Sequence, residues 1–197
     1  MALTHSTVAA CVKRCVTTVE AIDVHTHLLP PTHGALLLHG VDELLTYHYL
    51  VAELFMVLPA AESELDSVTS GDAPPPPPSP DEFFSWSKIR QADLVFEELF
   101  VKRTPLSEAC RGVITALGSL GLGAELRAAA AAPAGTDRLA PLRQWFAAQP
   151  LEAHVERVFA EARLKYAVMT NIPFAPEEVA HWLPDPATGA PPPSVTS

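Results

Sequence analysis

Two short apolar strands, far apart in the chain and joined only by helical pattern, predict an α/β fold with a parallel sheet. The first is Ala21-Ile22-Asp23-Val24, running into His25-Thr26-His27 and stopped by Pro30-Pro31. The second is Tyr166-Ala167-Val168-Met169-Thr170, broken at Asn171-Ile172-Pro173-Phe174. A return to a neighbouring parallel strand requires a crossover, and the helices supply it. Ordinary crossovers need roughly a dozen residues. An all-helical insertion over 40–164 is therefore expected between these strands.

Ahead of the first strand, the opening residues carry Lys13 and Arg14 with no acid before Glu20, and a short amphipathic helix accounts for them. Val8, Val12, Val16 and Val19 share its apolar face with Cys11 and Cys15, which read as core packing. In the strand itself, side chains alternate with period two, so His25 and His27 point to one side and can reach one cation. They stand at the C-terminal end of a strand expected to be buried, the end at which (β/α) barrels carry their active sites.

Helical pattern resumes over Gly40 to Phe55, with Val41, Leu44, Leu45, His48, Val51, Ala52 and Phe55 near one side. From Ala60 to Asp81 the composition turns to Ser, Gly, Asp and Ala with prolines 74 to 78, a disordered or polyproline loop insertion. Ile89, Ala92, Val95, Phe96, Leu99 and Phe100 then recur at helical spacing, with Lys102 and Arg103 at the cation-favouring C-terminal end. Thr104 with Pro105 predicts the start of the next helix, whose stripe is Leu106, Ala109, Cys110, Val113, Leu117 and Leu120, stopped by Gly121 and Gly123. Alanines 128–132 read as a second low-complexity insertion. Two short helices follow, Leu139 to Ala148 and Leu151 to Ala162, the latter buried through Val155, Val158 and Phe159. The tail from Pro184 to Ser197 reads as disordered.

Composition bounds the partners. A net charge of −10 argues against a nucleic-acid backbone. No apolar run approaches a membrane span, so a soluble, cytoplasmic protein is expected. The three cysteines, Cys11, Cys15 and Cys110, form neither a disulfide framework nor a zinc ribbon, which fits a reducing interior.

With these residues in place, the chain resembles the uronate (glucuronate) isomerase branch of the amidohydrolase superfamily, whose members are metal-assisted (β/α)8 barrels. Four segments carry the resemblance: Asp23 to Leu28 at the strand-one metal motif, the His48-Tyr49 pair downstream, the helical stretch Arg103 to Val113, and Val168-Met169-Thr170-Asn171 at strand two. The histidine pair alone points only to the superfamily; the His-Tyr pair and the long helical insertion point to uronate isomerases. One departure stands out. The family commonly has an aspartate just after the strand-two Thr, where this chain has Asn171 followed by Ile172.

The resemblance implies an incomplete (β/α)8 barrel over 1–183 and an aldose to ketose interconversion of a hexuronate substrate. It implies that His25 and His27 hold a divalent cation, zinc being the leading choice, and that His48 and Tyr49 contact substrate hydroxyls or relay a proton. Arg111 would fork onto the uronate carboxylate, and Asn171 would lie at the substrate. Without the resemblance, His48 reads as a helix-surface histidine and Arg111 as a salt-bridge partner of Glu108 or Asp93.

A (β/α)8 barrel takes about 250 residues, and this chain reaches its second strand only near Tyr166. The remaining histidines, His5, His33, His39, His154 and His181, end no apolar strand. Two imidazoles fall short of the three protein ligands usual for catalytic zinc. The expectation is thus an N-terminal fragment, inactive alone, with exposed sheet edges and a bare apolar face. Two alternatives remain open: a metal-dependent hydrolase or decarboxylase of the same superfamily, and a non-enzymatic helical module that docks a partner. Homo-oligomerisation also stays open.

Overall fold

Strand β1, Ala21–Thr26, lies parallel to strand β2, Leu164–Met169, in a two-stranded sheet. The register pairs Ala21 with Leu164, Ile22 with Tyr166, Asp23 with Ala167 and Thr26 with Met169, with irregular steps after Ala21 and after Asp23. This computed structural model describes residues 4–29, 37–58, 76–170 and Glu178. The Pro30 turn, most of the proline-rich loop, Asn171 and the 184–197 tail fall outside the described residues.

Nine α-helices fill the described part of the chain: α1 His5–Thr18, α2 Val41–Leu45, α3 His48–Val57, α4 Pro80–Ser85, α5 Lys88–Phe96, α6 Glu108–Ser119, α7 Gly123–Ala131, α8 Ala140–Ala147 and α9 Leu151–Ala162. The fold is helix-rich α/β with a small parallel sheet. The chain divides into two units, one of residues 1–38 with 149–197, the other His39–Ala148. Among the described residues, no helix is long and apolar enough to cross a membrane.

The His39–Ala148 unit is built on a dense apolar core. Leu50, Leu54, Phe83, Val95, Leu117 and Leu142 are fully buried within it. The expected helix over Gly40 to Phe55 is two helices, not one. Gly40, at φ 133°, opens α2 in a region that L side chains rarely enter. The Thr46 hydroxyl bonds back to the Asp42 carbonyl at 2.8 Å and leaves its own backbone at φ −95°, ψ 16°; Tyr47 is extended, and α3 starts afresh at His48.

Further on, α5 runs into a π-helical turn, Glu97–Val101, closed by Lys102 N–H donating to the Glu97 carbonyl at 2.9 Å. The turn buries Glu98, Leu99 and Phe100 together, and Phe96 stacks on Phe100. Lys102 and Arg103 both reach Glu98, at 2.7 and 2.6 Å. Burial opposes ionisation of Glu98, but the hydrogen bonds and charges of these two cations outweigh it and hold its carboxyl below the ordinary range.

Three expectations about helices are corrected here. Helix α6 starts at Glu108, not at Thr104-Pro105, because the Ser107 hydroxyl accepts the Cys110 amide at 3.1 Å; Leu106, read as core, is 72% exposed. Alanines 128–131 are helical, not a loop insertion. Alanine is the best helix former, and Leu126 and Ala129 bury one face of α7. Gly121, at φ 82°, does end α6, with Leu122 N–H donating to the Leu117 carbonyl at 2.8 Å, whereas Gly123 opens α7.

The other unit is thinly covered. Val8, Val12, Val16 and Val19 of the α1 region are 45 to 61% exposed, and Cys11 and Cys15 are exposed too, so the core-packing reading fails. Helix α9 buries no residue fully, and Val158 is exposed. Strand β1, read as buried, is open: Ile22 and Val24 are 47 and 70% exposed, as are Tyr166 and Val168 of β2 at 49 and 43%. A two-stranded sheet has few neighbours to cover its side chains, and α9 packs against β2 without burying these four. What orders the unit is local bonding. Arg163, in the left-handed region at φ 51°, ends α9 and turns directly into β2; its carbonyl accepts from Ala21 N–H at 2.9 Å and its guanidinium donates to the Val16 carbonyl.

Candidate functional site

The strand-one motif ends in a set of short-range hydrogen bonds that shape its backbone. The Asp23 carboxylate accepts the His25 amide at 3.0 Å, and the Thr26 hydroxyl accepts the Leu28 amide at 3.2 Å. The Asp23 bond lies within the stretch of β1 where the pairing with β2 is irregular. His25 sits on the last stretch of β1 and His27 just past it, both exposed.

Period-two geometry brings the two rings together. Their centroids are 5.4 Å apart with planes at 84°. Two imidazoles bound through nitrogen to one tetrahedral zinc, each nitrogen about 2.0–2.1 Å away, place their centroids roughly 5 Å apart. The observed spacing is close to that distance. Among the described residues there is no cluster of three or more His, Cys, Asp or Glu side chains that could hold a metal ion.

The second strand end meets the first. Thr170 N–H donates to the Thr26 carbonyl at 2.8 Å, and the Thr170 hydroxyl lies 3.4 Å from His25 Nδ1.

In the helical unit, the break at Thr46-Tyr47 sets His48 and Tyr49 at the first turn of α3. A third ring, Tyr47, joins them: Tyr47 and His48 centroids are 4.3 Å apart, His48 and Tyr49 4.2 Å, Tyr47 and Tyr49 5.3 Å. All three are exposed. Sequence reasoning missed Tyr47, and its signal was the aromatic run Tyr47-His48-Tyr49 itself, hidden by reading one continuous helix.

Arg111 is exposed on α6 and forms no ion pair with a described residue. The salt bridge expected of it with Asp93 is absent, because Asp93 pairs with Arg143 at 2.6 Å. Arg143 also pairs with Asp42 and Asp137. Burial works to lower its pKa, but the hydrogen bonds and charges of Asp42 and Asp93 outweigh it and raise the pKa. Asn171 lies outside the described residues. Cys110 is no candidate nucleophile: burial pushes its thiol up, Glu53 adds to the effect, and only the Ser107 hydrogen bond opposes it.

Compared with solved structures, the chain matches a uronate isomerase from Bacillus halodurans C-125 at 37% identity and a TM-score of 0.73, over 98% of its own length. The chain is thus similar in both sequence and fold to part of a uronate isomerase. It spans 38% of that relative's length, the N-terminal part. No protein-family model and no curated protein matches it. At this identity the likeness extends past fold to sequence. The chain presents two side-chain groups, His25 with His27 in one unit and Tyr47, His48 and Tyr49 in the other.

Proposed function

We propose that this chain serves a metal-assisted isomerisation of a hexuronate, aldose to ketose, as part of a (β/α)-barrel site. The observation that carries the reading is the 37% identity to a uronate isomerase over 98% of the chain. The parallel pairing of β1 with β2 across a helical crossover supports the barrel, with these as its adjacent first strands.

The reaction moves a proton from the hydroxyl-bearing carbon to the neighbouring carbonyl carbon, while a hydroxyl proton passes between the two oxygens. His25 and His27 would hold a divalent cation, zinc first among them. When bound, such an ion polarises the carbonyl and orients the substrate oxygens. His48 would accept and return the proton, and the Tyr49 hydroxyl would donate to or accept from a sugar hydroxyl. Arg111, with its guanidinium unpaired among the described residues, is available to fork onto the carboxylate that distinguishes a uronate from a neutral sugar. Two protein ligands make a weak site, so the chain by itself is expected to take up zinc with low affinity.

Zinc titration followed by NMR of the histidine rings tests the reading. The His25 and His27 signals should move together, and uptake should vanish in the His25→Ala, His27→Ala double variant. With zinc present, glucuronate should shift the His48 and Tyr49 ring signals. Zinc uptake indifferent to the double variant would remove the metal half-site, and ring signals untouched by glucuronate would favour the non-enzymatic helical module.

A further inference from the structure

Thr170, one residue past β2, has a hydroxyl placed between two groups of β1. Its oxygen is 3.2 Å from the Thr26 carbonyl and 3.4 Å from His25 Nδ1. A hydroxyl has one hydrogen to give, and a carbonyl can only accept. The shorter of the two contacts is to Thr26 O, which also accepts the Thr170 N–H at 2.8 Å; with the hydroxyl hydrogen given to that carbonyl, the Thr170 oxygen faces Nδ1 as an acceptor. A neutral imidazole that donates from Nδ1 keeps its lone pair on Nε2.

We propose that Thr170 is a positioning residue that biases His25 to the Nδ1–H form, with the Nε2 lone pair presented to a cation. The inference rests on the metal reading above and deepens it, because it assigns the group that orients one of the two ligands. Metal-bound histidines typically donate their second ring N–H to a neighbouring acceptor. The obvious acceptor, Asp23, is engaged by the His25 backbone amide instead. Here the acceptor comes from the other strand, so the pairing of β1 with β2 and the aim of the ligand are linked. At 3.4 Å the contact is at the long end for an N–H···O bond, so the bias is modest.

The experiment is nitrogen-15 NMR of the histidine rings in the metal-free chain at pH 8. Thr170→Val keeps the branched shape and leaves the backbone bond from Thr170 N–H to Thr26 O in place, while Thr170→Ser keeps the hydroxyl. Wild type and Thr170→Ser should show a larger fraction of His25 protonated at Nδ1 than Thr170→Val, in which the proton should move toward Nε2. Zinc affinity should fall about tenfold in Thr170→Val and recover in Thr170→Ser. A His25 tautomer identical in wild type and Thr170→Val overturns the assignment, even where zinc uptake still depends on both histidines and the metal reading stands. If the tautomer moves as expected while the histidine double variant binds zinc like wild type, Thr170 keeps its role and the metal reading fails.

Discussion

The two units of this chain hold themselves together by different means. In His39–Ala148 the helices bury a continuous set of leucines, valines and phenylalanines, several without any exposed surface. In the unit that holds β1 and β2, the valines of α1 and both strands stand open, and the order comes from backbone pairing, Arg163 and a few short side-chain bonds. Burial of apolar surface is the main source of stability, and hydrogen bonds exposed to water add far less. The candidate metal ligands thus stand on the less stabilised of the two, and the aromatic group stands on the firmer one. A ligand pair that needs partners is carried on a sheet that needs neighbours.

The largest expected difference is in core truncation. Leu50→Ala removes a side chain with no exposed surface from the helical unit and should cost about 3–5 kcal/mol, read from the urea midpoint. A loss under 1 kcal/mol would mean that this core is loosely packed and that the contrast is wrong.

Next comes Glu98, where an ion pair reaches into the helical unit. Glu98→Gln should cost roughly 1–2 kcal/mol at pH 7, since its partners remain partly exposed and their attraction is screened. The sign with pH follows from the depressed carboxyl. The contribution is fully present above the unfolded-state pKa and is lost as pH falls through the lower folded value. Wild type should therefore lose stability below the usual carboxylate range more steeply than Glu98→Gln, measured as urea midpoint against pH. Parallel curves for the two would show that Lys102 and Arg103 do not hold Glu98 ionised.

Legibility in the sequence followed the same division. The parallel strand pair, the helical spacing of Val95, Phe96, Leu99 and Phe100 and the alternation that joins His25 to His27 all come from local period, and the structure has each of them. Period says which residues share a face but not what covers it. The α1 valines and the β1 residues had the pattern of buried faces and are open. Helix starts were misplaced where two capping residues competed: Ser107 over Thr104, decided by which hydroxyl reaches an amide three residues on. Tyr47 was lost to a break set by one threonine back-bond, which no periodic pattern records. Thr170 was visible as a polar strand end, but its meeting with His25 depends on cross-strand register.

The smallest expected effect is the sharpest probe of the open unit. Val12 is 55% exposed on α1, and alanine is the better helix former at such a position. Val12→Ala should therefore change stability by no more than about 0.5 kcal/mol, with stabilisation the favoured sign, in a thermal melt of the whole chain. If the α1 face were covered in solution, the same change would remove buried methyl groups and cost about 1–2 kcal/mol, the loss growing with protein concentration were the cover a second copy. A destabilisation of that size would close the gap between the two units. A null or slightly positive result keeps it, and leaves the β1 and β2 histidine site on a scaffold held by hydrogen bonds more than by burial.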